Sequence, residues 1–179
     1  VLTWRQAHIY QSPETLWRAT VDHNPDSFLA QIGLGVIYED QGKHREAIEA
    51  QERAVAIDPG SAEARLNLAR SYDNLGEYEK AAALYEQGLR LESGYARAVK
   101  PRLARLYVRL GQLDRAVTMA RAALVLAPGS SYAYAVLGLA LDGQGRRADA
   151  EQAWQAALRL DPEGDGGRLA RERLAPPAP

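Results

Sequence analysis

In this 179-residue chain the residues best suited to holding a metal or moving a proton are three histidines, His8, His23 and His44, and acidic pairs such as Glu39-Asp40 and Glu77/Glu79. A metal needs ligands that converge, which on a helix means a spacing of three or four residues. No histidine has such a partner within one helix, so no metal site is expected. A catalytic carboxylate pair needs a shielded cleft and displaced pKa values, and nothing around these pairs supplies one. Gly33-Leu34-Gly35 would need a preceding strand to cradle a phosphate, and none precedes it. No Ser/His/Asp set sits on a nucleophile turn, and the absence of Cys removes thiolate chemistry. The chain is therefore expected to be no enzyme and to carry no cofactor.

Composition narrows the partners. A formal net charge of -1 removes the global case for nucleic acid, whose phosphates require a basic face. No apolar run approaches the roughly 18 residues of a membrane span. Absence of Cys suits cytoplasm and periplasm alike. One Phe beside nine Tyr, with abundant Ala, Leu and Arg, favours Ala-packed helices over strands.

The elements that position these residues are set by a repeat. Gly42, Gly76, Gly111 and Gly145 recur at spacings of 34, 35 and 34, each followed five residues later by Ala47, Ala81, Ala116 or Ala150. Eight residues before each glycine stands Leu34, Leu68, Leu103 or Leu137, followed by a small residue. Tyr38, Tyr72 and Tyr107 precede the first three glycines, and Leu141 takes that place before the fourth. Ala54, Gly88, Ala123 and Ala157 follow, then Pro59, Ser93, Pro128 and Pro162. Small residues let two helices approach, glycine ends the first helix in a left-handed conformation, and proline stops the second. One such hairpin cannot bury its apolar face alone, so copies must stack.

This pattern resembles the tetratricopeptide repeat, a 34-residue helical hairpin. The resemblance implies an all-α right-handed superhelical solenoid of antiparallel helix pairs. Copies fall at 28–61, 62–96, 97–130 and 131–164, with first helices near 28–41, 62–75, 98–110 and 131–144. Second helices fall near 44–57, 78–91, 113–126 and 147–160. In the third copy Pro101 lies where a helix interior should be, so that helix is expected to start late, near Val99 or Lys100. Residues 165–179 read as a capping helix, with Asp165 as its cap and Leu169 and Leu174 turned inward, followed by a Pro-rich tail.

In proteins similar to this one, the first helices line a concave groove that binds a partner's peptide. Carried over by register, the groove here takes Ile32, Val36, Glu39 and Asp40 from the first copy and Leu66, Asn67, Arg70, Asp73 and Asn74 from the second. The third copy contributes Arg102, Arg105 and Arg109, and the fourth Tyr132 and Leu139. Acid would gather toward the start and base toward the third copy, a polarity that would fix a peptide's direction. The subclass that grips chaperone tails uses Lys and Asn where this chain has Ile32 and Val36. That clamp is absent, although Asn67 matches one of its positions.

Residues 1–27 read as a partial repeat. Ser12 caps a helix over 13–24 that begins with Pro13, and Trp17 takes the bulky position of Tyr85 and Trp154. Trp4 falls in register with Tyr38, so residues 1–10 are expected to end a first helix begun upstream. The string Trp4, Arg5, Gln6, Tyr10, Glu14, Thr15, Leu16, Trp17, Arg18, Asn24 and Pro25 resembles the junction in multi-spanning membrane proteins related to protein O-mannosyltransferases, where a last membrane helix leads into such repeats. The resemblance implies a periplasmic domain of an inner-membrane protein, touching the membrane only through a segment upstream of Val1. It serves either as a peptide-binding scaffold or as the substrate-presenting or regulatory arm of a glycosyltransferase. A third reading is a soluble, cytoplasmic scaffold that forms homodimers through Tyr10, Trp17 and the open N-terminal face.

Overall fold

The computed structural model of the chain describes residues 12–175. Within them the helices are α1 (Pro13–His23), α2 (Phe28–Asp40), α3 (His44–Ile57), α4 (Ala62–Leu75) and α5 (Tyr78–Leu91), all in one compact unit that ends at Glu92. A second unit begins at Ser93 with a 3-10 turn (Ser93–Tyr95). It continues through α6 (Ala96–Arg109), α7 (Leu113–Leu126), α8 (Ser131–Gly143), α9 (Arg147–Leu160) and α10 (Asp165–Leu174). No strand occurs among the described residues, and the chain is all-α.

Four glycines decide where the first helices stop. Gly42, Gly76, Gly111 and Gly145 have φ of 72°, 87°, 70° and 76°, and no other described residue has a positive φ. That left-handed step lets the next amide reach back five residues. Lys43 donates to the Tyr38 carbonyl at 2.8 Å, Glu77 to Tyr72 at 2.9 Å, Gln112 to Tyr107 at 2.8 Å and Arg146 to Leu141 at 2.9 Å. Orphan carbonyls at each helix end are satisfied in this way. The tyrosines picked out by the repeat thus stand at the same closure in three hairpins.

Each pair α2/α3, α4/α5, α6/α7 and α8/α9 packs as neighbours, and so do α3/α4 and α7/α8. Alanine makes this approach close: Ala47, Ala54, Ala81, Ala116, Ala150 and Ala157 are wholly buried. The tightest seam is in the second unit. Trp154 on α9 is 0% exposed and its indole nitrogen donates to the Ala135 carbonyl at 3.2 Å. A Cβ at Gly138 would lie 2.3 Å from that nitrogen, so only glycine lets the ring in. Ser61 and Ser130 cap α4 and α8 by accepting from the amides of Ala64 and Ala133.

Two expectations are corrected. The helix holding Pro101 starts at Ala96, not at Val99 or Lys100, because the 3-10 turn delivers the chain already wound. Pro101 then costs one interior hydrogen bond, to the Arg97 carbonyl, and Arg97 is solvent-exposed while the proline ring is buried. The cap of α10 is Gly164 rather than Asp165, since Asp161 reaches forward to the Gly164 amide at 2.9 Å. Gly166, Gly167 and Ala170 form the buried face of that helix, with Leu169 and Leu174 half-buried beside it. At the other end, Ser12 accepts from the Thr15 amide at 3.2 Å and the Thr15 hydroxyl receives the Ser12 amide at 3.1 Å. This reciprocal cap starts α1 with Pro13 as its first residue.

Candidate functional site

In the first unit the predicted residues lie on α2 and α4. Ile32, Val36, Leu66, Asn67 and Arg70 are half-buried, while Asp40 and Asn74 are exposed. Glu39 and Asp73, expected as groove acids, are buried at 8% and 9% exposure. Glu39 is held from two sides: His44 Nδ1 lies 3.0 Å from its Oε1, and the Asn74 amide donates to its Oε2. A carboxylate can only accept, so His44 is the donor. Burial pushes the Glu39 carboxyl up, but the hydrogen bonds from His44 and Asn74 outweigh it and hold the group below the usual carboxylate range. The result is a clip joining α2 to the start of α3 and the end of α4, not a free acid awaiting a cationic ligand.

This clip has a pH signature. A depressed folded pKa contributes stability that is present above the unfolded value and lost as pH falls through the folded one. In urea unfolding of the chain and of Glu39→Gln, the difference in stability is expected to be constant at neutral pH. It should shrink as pH drops below about 4, and a difference independent of pH down to acid unfolding would refute the clip.

In the second unit α6 carries Arg97, Lys100, Arg102, Arg105 and Arg109 and no acid. Arg102 and Arg109 are exposed, and neither forms an ion pair among the described residues. Arg105 is half-buried and has a partner. The neighbouring α8 brings half-buried Tyr132 and Leu139. The structure thus carries exposed cations on one helix and half-buried aromatic and aliphatic residues on the helix packed against it.

Three tyrosines at the hairpin turns are engaged rather than open. Arg18 donates to the Tyr38 hydroxyl at 3.1 Å, and Arg115 stacks 4.1 Å from the Tyr107 ring centroid. Tyr72 donates to Glu52 at 2.7 Å, and burial together with that carboxylate pushes its hydroxyl up to about 12. Trp17 lies against Gly33, where a Cβ would sit 2.6 Å from the indole, so its ring is partly covered by α2.

Sequence reasoning missed two features of the first unit. Gln31 is buried and donates to the Pro25 carbonyl at 2.9 Å. Two open depressions, of 590 and 380 Å³, share Arg53 in their lining: the first runs along Pro25, Asp26 and Ile57, the second between Arg18, Asp22, Glu46 and Glu49. None of the predicted groove residues lines either. Among the described residues no group of three or more His, Asp or Glu could hold a metal, and no helix is long and apolar enough to cross a membrane.

Family profiles described as tetratricopeptide repeat match residues 39–100 and 75–140, residues 14–62 and residues 131–163. No curated protein matches the chain. Among solved structures it is similar to MamA, with a TM-score of 0.77 at 25% identity over 88% of this chain and 91% of that one. A MamA fragment from Desulfovibrio magneticus RS-1 gives 0.68 at 21% identity, covering 90% and 85%. YrrB, described as a TPR protein with an unusual peptide-binding site, gives 0.78 at 17% identity, covering 89% and 80%. The fold is that of these repeat solenoids, and the profiles span most of the residues between the first capped helix and the last: the chain belongs to the tetratricopeptide repeat family.

Proposed function

We propose that the chain is a peptide-binding scaffold and not an enzyme, and that its first helices carry the binding face. Its repeats are assigned to 28–61, 62–96, 97–130 and 131–164, between a partial unit at 1–27 and a cap at 165–179. One observation carries the reading: Arg102 and Arg109 stand exposed and without ion pairs on α6, which packs against the helix α8 that carries half-buried Tyr132 and Leu139. A cation left in solvent next to apolar surface suits a ligand that alternates acidic and apolar side chains. The peptide-binding site that the YrrB description mentions supports the same reading by analogy of fold.

Its test is a paired peptide array read at low and at raised salt. Acidic-apolar peptides are expected to be retained and to weaken as salt rises, while their basic counterparts are not retained. Equal retention of both would end the reading. The setting we propose is the outer side of an inner membrane, supported by the resemblance at Glu14, Thr15, Leu16, Trp17, Arg18, Asn24 and Pro25; Trp4, Arg5, Gln6 and Tyr10 lie outside the described residues. Apolar segments of about 20 residues encoded upstream of Val1 would support that setting, and an upstream sequence without them would remove it.

A further inference from the structure

We infer that the depression between α1, α2 and α3 in the first unit is a site for a linear aliphatic polyamine, separate from the first-helix face. On α3, Glu46, Glu49 and Arg53 follow one another at three and four residues, so they share one face of that helix, and Gln31 and Leu34 do the same on α2. Three carboxylates line the 380 Å³ space: Asp22, Glu46 and Glu49 are exposed, and none forms an ion pair among the described residues. An acidic rim alone would be a solvated surface. The floor makes it a site. Gln31 is 1% exposed, and its amide nitrogen is committed to the Pro25 carbonyl at 2.9 Å. A carbonyl only accepts, so the Gln31 Oε1 is the end left over. No described residue donates to that oxygen, and it is not sealed from water. Its opening is therefore the depression that Gln31 lines.

A floor and rim made of acceptors ask for a ligand that brings donors and positive charge. An ammonium group has three N–H donors, enough for a carbonyl and the carboxylates beside it. Val21, Leu34 and Ala50 complete the lining with apolar surface that suits a methylene chain. The adjoining 590 Å³ depression, which shares Arg53, adds Asp26 and the apolar Ala56 and Ile57. Along α3 the two run from Glu46 to Ile57, roughly 16 Å of helix. Acid and apolar surface in both depressions is the complement of ammonium groups joined by methylenes. A metal ion fits less well, because no three acids among the described residues are placed to hold one. Of the two arginines in the lining, Arg18 is already matched, by Glu14 at 3.4 Å and by the Tyr38 hydroxyl at 3.1 Å. Arg53 is not. It stands four residues after Glu49, a spacing at which opposite charges pair, yet forms no ion pair among the described residues. It is the one charge that a polyamine must approach against repulsion.

The test is calorimetry of the full chain with spermidine, with butylamine and magnesium chloride compared at equal ionic strength. Spermidine is expected to bind, and butylamine and magnesium to bind at least about tenfold more weakly, since charge-assisted contacts are lost in both. Glu46→Gln with Glu49→Gln should weaken spermidine at least about tenfold. Glu63→Gln with Glu79→Gln removes the same charge from exposed positions outside both depressions and should leave the affinity within about twofold. Arg53→Gln should tighten binding, because it removes the opposing cation. Asp26→Asn should narrow the margin of spermidine over butylamine. All the substituted residues are exposed, and circular dichroism checks that each variant folds. In NMR spectra spermidine is expected to shift the side-chain amide peaks of Gln31 and to leave those of Asn67, on the first-helix face, in place. No spermidine binding, magnesium or butylamine binding as tightly, equal losses in the two double variants, weaker binding in Arg53→Gln, or unmoved Gln31 peaks would each overturn the site.

Discussion

Trp154→Ala is expected to lower the unfolding free energy by about 3–5 kcal/mol, the range for emptying a buried tryptophan site. The residue is wholly buried, and its nitrogen is bonded to the Ala135 carbonyl. The ring fills the space that Gly138 leaves open on α8, while the Arg147 guanidinium covers it 5.0 Å from the ring centre. Removing the ring therefore opens a cavity, leaves one buried carbonyl short of a donor and strips a cation of its aromatic partner. Urea unfolding gives the measurement, with the midpoint falling and the slope unchanged. A companion substitution sharpens it. Gly138→Ala alone should destabilise by about 1–3 kcal/mol through overpacking, yet combined with Trp154→Ala it should cost less than the sum, because the methyl group enters the vacated space. Strict additivity would mean that the two residues do not meet.

Arg102→Glu with Arg109→Glu is expected to weaken binding of acidic-apolar peptides at least about a hundredfold, since two charge-assisted contacts are lost and two repulsive ones replace them. Both side chains are exposed and without ion pairs, so stability should change by less than about 0.5 kcal/mol per site. Arg105 is a poorer choice for reversal because it is half-buried and partnered. Fluorescence anisotropy of a labelled acidic peptide reads the affinity, and thermal unfolding reads the stability. Binding that survives the reversal would exclude α6 from the binding face.

The helices were legible in the sequence because punctuation sets them. Glycine in a left-handed turn and proline after a helix act locally, so α2 to α5 and α7 to α9 begin and end within a residue of the bounds expected from the repeat that Gly42, Gly76, Gly111 and Gly145 punctuate. The start of α6 was misjudged because the proline rule counts only the local cost, and the 3-10 turn before it offset that cost. Burial of charge was less legible still. Glu39 reads as a surface acid until His44, five residues on, and Asn74, 35 residues on, are brought to it. A helix-face pattern places Glu39 and Asn74 on the binding side and leaves His44 on the second helix, but no pattern states that two donors will converge on one carboxylate. Arg70 is the converse case: register placed it on the face, and only the packed structure reveals that nothing answers its Nε.

The glycine turns also bear on handedness. At Gly76, with φ of 87°, no atom lies within 4 Å of where a side chain would begin. That backbone is strained for an L-residue and relaxed for its mirror image. D-alanine placed there by chemical synthesis would therefore fit without collision. It would also narrow the freedom of the unfolded chain, a gain of about 0.4–1 kcal/mol for a residue that suits its native dihedrals. By this argument the fold holds four places, one in every hairpin, where a residue of the opposite chirality would serve it better than any of the nineteen chiral residues that the ribosome supplies.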